Sequence, residues 1–248
     1  MTLLFLGKEE TMMKKFIIEN DFWEVFPDAK IAVVVCHDID NTINRNEELA
    51  NRLIEVESNA LSYLTNDDFS SNDVIKVWRE AYGKFKTKKG ARSSIEALLK
   101  RVAKGNHIGN INPLVDIYNS ISLKYALPCG GEDIDKFVSD LHLTKANGNE
   151  DFITYGTDLS EPPYEGEIIY KDNAGAVCRC WNWREAVRTC LDENTKNAFM
   201  IIESVDATRD SDLNAAITEL SLLIKEYLGG TNTIHILDKE NHEIVIED

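Results

Sequence analysis

Three polar side chains, Asn112, Asp116 and Asn119, are spaced by four and three residues within an otherwise apolar stretch. On a helix this spacing places them on one face, flanked by side chains such as Leu114 and Ile117. A polar stripe with apolar flanks is typical of a helix that lines a pocket. Amide and carboxylate groups in such a pocket can hold a water or a substrate.

The same three side chains also fit a structural role. Asn112 precedes Pro113 and has the right type to cap a helix, and Asp116 would complement the positive helix N-terminus. Asn119 would then close a hydrogen bond to a neighbouring turn. Both interpretations stay open at the level of the sequence.

A basic stretch lies between positions 76 and 104, where seven Lys and three Arg stand against two Glu, a net charge of +8. The whole chain carries −16, so its surface repels phosphate and does not coat nucleic acid unspecifically. The stretch is either a local phosphate-facing patch or a solvated face that offsets the acidic remainder. Its candidate RNA-binding residues are Lys84, Lys86, Lys88, Lys89, Arg92 and Arg101.

Motifs of common enzyme classes are missing from the sequence. It contains no Gly-rich phosphate loop, no His-Glu-x-x-His pair and no nucleophile elbow, so nucleotide-binding, metalloprotease and hydrolase interpretations lose their usual support. Cys178 and Cys180 could form half of a metal site, but the five histidines are scattered. We therefore expect five reduced thiols, no metal, no cofactor and a cytoplasmic location.

The composition is that of an ordinary globular protein. The 248 residues are 43% hydrophobic and 28% charged, enough to bury one large core. No apolar run approaches the roughly 20 residues of a membrane span, and no signal peptide is visible. We expect a single domain over 1–248, with an N-terminal extension at 1–30 and a C-terminal helix and hairpin within 206–248.

Helical patterns dominate the first half of the chain. They follow a short β-branched run at 31–36 that is typical of a buried strand. Ser93 and Glu96 form a capping-box pattern, and Asn112 before Pro113 is a second start signal. Helices are predicted over about 44–64, 72–82, 93–105 and 112–126.

Strand patterns separated by turn residues dominate the second half. Because helices cluster before position 126 and strands after 138, the pattern favours an α+β arrangement over a strictly alternating parallel fold. The predicted strands are 141–144, 151–155, 167–170, 176–181 and 198–202, followed by a helix at 212–227 and a hairpin of 233–237 with 243–246.

Four segments resemble motifs of one known family. Asn112-Pro-Leu-Val-Asp116-Ile-Tyr-Asn119 is similar to an Asn-x-x-Val-Asp-x-x-Asn helix, and the stretch from Pro128 to Asp133 is similar to Pro-x-His-x-x-Asp. Residues 145–156 are similar to Arg-Ala-x-x-Gly-Glu-x-x-x-Thr-Leu-Asp-Gly, and 201–204 to Leu-Leu-Glu-Ser. In this order and spacing, over about 90–205, they resemble the B3/B4 editing module of the bacterial phenylalanyl-tRNA synthetase beta chain and its free-standing relatives.

The resemblance implies an α+β fold in which a helical N-terminal part packs on a mixed, largely antiparallel sheet. It also implies a tRNA or aminoacyl-tRNA partner and hydrolysis of the ester of mischarged aminoacyl-tRNA in trans. By position, Glu203 would be the glutamate that recognises the tyrosine hydroxyl, and Asn119 would help to hold a water. A non-catalytic module that binds an RNA end, an amino acid or a protein partner is the alternative.

The sequence departs from the family pattern at two places. Gly130 stands where the family has its histidine, and residues 180–185 replace a small Ala-Gly-x-x-Gly-Gly loop. Trp183 and Arg184 could stack on a base or an aromatic ligand, and Arg184 also suits a phosphate or carboxylate. Alternatively, Trp181 and Trp183 alternate on a strand and pack on one face, with Arg184 and Glu185 as an ion pair at the rim.

Glu203 follows the apolar residues 199–202, so we expect it at a strand end where desolvation raises its pKa and suits it to proton transfer. A structural bridging role is the alternative. The predicted catalytic residues are thus Asn119, Asp116 and Glu203, and neither DNA nor a membrane is expected as a partner. The oligomeric state stays open. The predicted substrate-binding residues are Asn112, Gly130, Trp183, Arg184 and Glu185.

Overall fold

A computed structural model describes residues 13–42 and 47–247. The described residues form six helices and ten strands in two sheets. None of the described helices is long and apolar enough to cross a membrane. The helices are α1 Asn20–Val25, α2 Glu47–Ala60, α3 Asp73–Tyr82, α4 Ser94–Ala103, α5 Pro113–Tyr125 and α6 Asp210–Leu228; the strands are β1 Lys14–Ile18, β2 Lys30–His37, β3 Cys129–Asp133, β4 Leu141–Lys145, β5 Ile168–Asp172, β6 Gly175–Arg179, β7 Arg184–Glu185, β8 Ala198–Ser204, β9 Thr231–Leu237 and β10 Glu243–Glu247.

The smaller sheet has the order β3-β8-β2-β9 and is antiparallel throughout. Its strand β2 is buried on both faces, as its continuous apolar sequence predicts. Ile31, Val33 and Val35 belong to one core cluster, whereas Ala32 and Val34 belong to a second. Alternate side chains of the strand therefore pack into two separate cores.

The larger sheet has the order β10-β1-β4-β5-β6-β7. Its β1 and β4 pair in parallel, and its other pairs are antiparallel. Side chains of this sheet pack on the Ile31 face of the smaller sheet, while α5 and α6 cover the opposite face. The expected α+β class with a mixed, largely antiparallel sheet is confirmed, in a layered arrangement of helices, small sheet and large sheet.

Local start signals correctly predict where α4 and α5 begin. The Ser93 hydroxyl accepts a 3.4 Å hydrogen bond from the Glu96 backbone N–H, and the Asn112 side chain accepts one of 3.0 Å from that of Val115. These caps satisfy N–H groups that have no partner within the helix. The helix predicted over 44–64 is described from Glu47 onward, since positions 44–46 lie outside the described residues.

The predicted C-terminal hairpin is wrong. Strands β9 and β10 do not pair with each other, because β9 joins β2 in the smaller sheet and β10 joins β1 in the larger. The short connection of residues 238–242 therefore crosses between sheets. The strand predicted at 151–155 is also wrong, since this segment is a loop whose Phe152 is buried against Arg179.

Residues that we predicted as an N-terminal extension take part in the fold where they are described. Strand β1 lies between β4 and β10, and its Phe16 is fully buried against Tyr170 and Phe199. Helix α1 buries Phe22 in the same core. Positions 1–12 of the predicted extension lie outside the described residues.

Candidate functional site

A cavity of about 490 Å³ lies between the two sheets, with α4 along one side. Strands β3 and β8 form one wall and β4, β5 and β6 the other. The register pairs Gly130 with Ile201 and Glu132 with Phe199, so these four side-chain positions face the same way. The lining comprises Ser94, Ala97, Leu98, Arg101, Tyr118, Asn119, Cys129, Gly130, Gly131, Glu132, Leu141, Tyr170, Cys178, Trp181, Asn182, Trp183, Arg184, Glu185, Phe199, Ile201 and Glu203.

Asn119 and Glu203, 84 positions apart in the sequence, line this one cavity. Asn119 reaches it from α5 and Glu203 from the end of β8. The described residues offer the side-chain amide of Asn119 no hydrogen-bond partner, so the amide is available to a bound molecule. Of the other predicted site residues, the structure brings Gly130, Trp183, Arg184, Glu185 and Arg101 to the same cavity.

The structure does not bring Asp116 or Asn112 to the cavity lining. The Asp116 carboxylate accepts hydrogen bonds of 3.0 Å from the Ile111 N–H and 3.1 Å from the Asn110 amide, and burial raises its pKa. Asn112 caps α5 and accepts a bond from the Asn41 amide. Our placement of Asp116 in a reactive pocket is corrected: both residues organise the start of the helix that carries Asn119.

Glu203 is 1% exposed and accepts two short hydrogen bonds. The Tyr170 hydroxyl donates to its Oε1 at 2.6 Å and the Asn182 amide to its Oε2 at 2.6 Å. Burial raises the pKa of Glu203 to about 7, although both hydrogen bonds act in the opposite direction. A carboxyl group with this pKa can give or take a proton near neutral pH.

Asn182 connects this carboxyl group to two helices. Its side-chain oxygen accepts hydrogen bonds from the Tyr82 hydroxyl at 3.1 Å and from the Ser94 backbone N–H at 3.2 Å. The amide therefore joins the end of α3, the first turn of α4 and Glu203. Asn182 therefore fixes the position of α4 relative to the Glu203 carboxyl group.

Glu132 and Glu185 supply two further carboxyl groups. Glu132, on β3, is 6% exposed and its Oε2 has no hydrogen-bond partner. Glu185 lies on the short edge strand β7. Its Oε1 is close to Gly130, since a Cβ added to that glycine would lie 3.5 Å from it. Burial raises the pKa of Glu185 to about 7, and burial together with the charge of Glu185 raises that of Glu132 well above its ordinary value.

The two tryptophans of segment 180–185 separate instead of sharing a strand face, which corrects the alternating arrangement. Strand β6 ends at Arg179, and Cys180 and Trp181 have positive φ values of 46° and 65°, so the chain turns there. Trp181 is fully buried, with its ring centroid 4.6 Å from that of Phe26. Trp183 remains at the cavity, where the Arg184 guanidinium lies 4.7 Å from its ring centroid.

The basic residues lie mainly in the loop between α3 and α4. Lys84 and Lys86 are exposed above the rings of Phe26 and Tyr164, at 5.5 and 5.6 Å, and Lys89 is exposed. Lys88 instead forms an ion pair with Glu161, and the Arg92 guanidinium donates to the Gly90 carbonyl at 3.4 Å. On α4, Arg101 is exposed, lines the cavity and donates to the His107 carbonyl at 2.8 Å.

Sequence reasoning missed Tyr170, Asn182 and Glu132. Asn182 lies inside the segment that attracted attention, but an amide between two tryptophans carries no signal of its own. Glu132 lies within the motif around Gly130. Because alternate residues of a strand face the same side, the sequence could have predicted that positions 130 and 132 face the same way. Tyr170 had no local signal, because its partner Glu203 is 33 positions away.

Comparisons with known proteins match the chain to a family, to a curated protein and to a solved structure. The profile of the B3/4 domain matches residues 77–229. Over 110 residues the chain is 31% identical to the phenylalanine–tRNA ligase beta subunit of Mycoplasmoides gallisepticum, a match that covers 43% of this chain and 13% of that protein. An N-terminal fragment of the phenylalanyl-tRNA synthetase beta subunit from Pyrococcus horikoshii is 12% identical with a TM-score of 0.44, covering 94% of this chain and 54% of that one. The chain thus spans only a small part of the curated relative.

Proposed function

Because this chain belongs to the B3/4 domain family, we propose that it binds tRNA and hydrolyses the ester of mischarged aminoacyl-tRNA. One observation carries the proposal: the amide of Asn119 and the carboxyl group of Glu203 line one cavity. The relative from Mycoplasmoides gallisepticum is by name a tRNA ligase subunit, which favours an aminoacyl-tRNA over other esters.

Hydrolysis requires an oriented water and a proton acceptor rather than a side-chain nucleophile. In our proposal the Asn119 amide holds the water, whose oxygen attacks the ester carbonyl carbon. The water proton passes to the Glu203 carboxylate, and the bond between the carbonyl carbon and the ribose oxygen breaks. That ribose oxygen then takes the proton from Glu203, so the products are a free amino acid and uncharged tRNA.

The distribution of charge around the cavity supports an orientation in which the tRNA lies at the exposed side and the aminoacyl group lies inside. Arg184 is exposed and Arg101 is exposed on α4, and both line the cavity. The carboxyl groups of Glu132, Glu185 and Glu203 lie in the same cavity. Cations at the exposed side suit the phosphates of an acceptor end, while the aminoacyl group would enter between the sheets.

Deacylation of a panel of mischarged tRNAs tests the proposal. We expect turnover that falls at least about 100-fold in Glu203→Gln and in Asn119→Ala, the range expected when a proton acceptor or a water-holding group is lost. Glu240→Gln and Asn106→Ala make the same chemical changes at exposed positions and should retain turnover. Absence of turnover on every charged tRNA, or equal activity in all four variants, would contradict hydrolysis.

A non-catalytic binding module is the second candidate function. It is favoured by the two hydrogen bonds that already engage both oxygens of Glu203, from Tyr170 and Asn182. In that case Glu203 holds the walls of the cavity together instead of moving a proton. Binding of aminoacyl-tRNA without turnover, weakened by Asn119→Ala, would establish this function.

A further inference from the structure

The cavity contains a pair of carboxyl groups without a cationic partner among the described residues. Glu132 on β3 and Glu185 on β7 come from edge strands of different sheets. Glu132 is 6% exposed, and its Oε2 accepts no hydrogen bond. The neighbouring Thr189 hydroxyl lowers the pKa of Glu132, but it too is buried without a hydrogen-bond partner. A buried polar atom without a partner costs free energy, so its position in a cavity calls for a ligand that donates hydrogen bonds.

The nearby cations are engaged elsewhere. Lys136 donates to Asp192 at 2.7 Å and to the Cys190 carbonyl at 2.8 Å. Arg188 forms a bidentate pair with Asp172 at 2.5 and 2.9 Å. The charges of Lys136 and Arg188 lower the pKa of Glu132, but neither side chain forms an ion pair with it.

The two arginines that line the cavity also have other contacts: Arg101 donates to the His107 carbonyl, and Arg184 lies over the Trp183 ring. The other titratable groups that face the pair supply no positive charge. The phenol of Tyr118 and the thiols of Cys178 and Cys190 face the two carboxyl groups, and burial raises the pKa of all three. They are therefore neutral near pH 7. Side chains of α5, β6 and the segment after β7 thus offer the pair no positive charge, and a bound cation would favour its ionised form.

We propose that Glu132 and Glu185 together bind a protonated primary amine of the ligand. This inference rests on the proposed function in that it concerns the same cavity, and it names the chemistry of what enters. An ammonium group is compact and donates three hydrogen bonds, which matches two carboxyl groups that line one cavity. No group of three or more His, Cys, Asp or Glu side chains within the described part of the chain is placed to hold a metal ion, so an organic cation fits better.

The amine could be the α-ammonium of an aminoacyl group or an ammonium at the end of its side chain. Three amino-acid amides of equal chain length separate these sources. Norleucine amide carries only the α-ammonium, Nα-acetyl-lysine amide only the side-chain ammonium, and Nα-acetyl-norleucine amide neither. Their affinities for the full-length protein are measured by calorimetry at pH 7.

We expect at least one ammonium-bearing probe to bind about tenfold or more tightly than Nα-acetyl-norleucine amide, the difference made by one charge-assisted hydrogen bond. Glu132→Gln and Glu185→Gln should each remove most of this difference, while Glu240→Gln, at an exposed position, should keep it. The two variants are independent, because Glu185 lies on the two-residue edge strand β7 and is only partly buried, whereas Glu132 is buried in β3; a thermal melt of each variant shows that it is folded before its affinities are compared.

Several results would overturn the inference. These are equal binding of all three probes, no binding of any probe, or full retention of the difference in both Glu→Gln variants. Failure of the inference is distinguishable from failure of the proposed function, since deacylation is measured separately. Turnover without amine preference removes only the former, and amine binding without turnover removes only the latter.

Discussion

The hydroxyl of Tyr170 donates a 2.6 Å hydrogen bond to Oε1 of Glu203. Glu203 is the residue to which the family resemblance assigns recognition of a substrate tyrosine hydroxyl. In this protein a tyrosine of the protein itself already occupies that acceptor, and Asn182 occupies the other oxygen. We infer that selection of a ligand depends on other groups of the cavity, notably Glu132 and Glu185.

Tyr170→Phe removes the hydroxyl and keeps the ring. The hydrogen bond from Tyr170 lowers the pKa of Glu203, so in the variant this pKa should rise above about 7. The free energy of unfolding should fall by about 1 to 3 kcal/mol. A carbon-13 NMR titration of the Glu203 carboxyl group measures the pKa. Tyr155→Phe, at an exposed position, is the matched control, and an unchanged pKa in Tyr170→Phe would contradict the geometry.

Stability should depend on pH through Glu203. Its pKa is about 7 in the folded protein against 4.5 ordinarily, so between these values the unfolded chain releases a proton that the folded protein keeps. The free energy of unfolding therefore falls as pH rises from about 4.5 to about 7 and this contribution then levels off. At about 1.4 kcal/mol per pKa unit, the contribution is on the order of 3 kcal/mol.

Urea denaturation between pH 4.5 and 8 measures this effect. Glu203→Gln should show a shallower decline than the unsubstituted protein, because one titrating group is gone while the others remain. Glu240→Gln should follow the unsubstituted curve. Parallel curves for the protein and Glu203→Gln would show that Glu203 titrates normally.

The buried ion pair of Arg179 and Glu167 should be needed for stability. Arg179 donates to Glu167 at 2.6 and 3.1 Å, and both side chains are nearly inaccessible. Arg179→Met leaves the Glu167 charge buried alone, which should cost about 3 to 5 kcal/mol. Adding Glu167→Gln to that variant should recover part of the loss. In urea denaturation the exposed pair of Lys15 and Glu243 serves as the contrast.

For that contrast, Lys15→Met should cost less than about 1 kcal/mol, since exposed ion pairs contribute little. Equal losses in Arg179→Met and Lys15→Met would mean that the buried pair has no special role. A double variant less stable than Arg179→Met would likewise contradict the expectation that the unpaired carboxylate causes the loss.

The basic loop before α4 should contribute to RNA binding through its exposed lysines. Lys86 and Lys89 are exposed, whereas Lys88 is paired with Glu161. In Lys86→Gln with Lys89→Gln, tRNA affinity should fall, and the slope of log affinity against log salt should shrink by roughly 1 to 2. The same double change at exposed Lys196 and Lys239 is the control; equal slopes for both double variants would mark the loop as solvated surface.

Local signals in the sequence determined much of the secondary structure. Ser93 and Asn112 mark the starts of α4 and α5 because capping depends on residues three positions apart. The continuous apolar run of β2 determines a strand buried on both faces. The motif order around Asn119 and Glu203 also determined the family resemblance, and the family is confirmed.

Only the tertiary structure decided which neighbours these residues meet. Strands β9 and β10 join different sheets instead of pairing with each other. The Asp116 carboxylate bonds to residues before its helix, whereas Asn119 lines the cavity. Glu132 and Glu185 come together from two sheet edges 53 positions apart in the sequence. The physical reason is that caps and periodicity are set by nearby residues, whereas strand partners and cavity walls depend on how separate elements bury their apolar faces against one another.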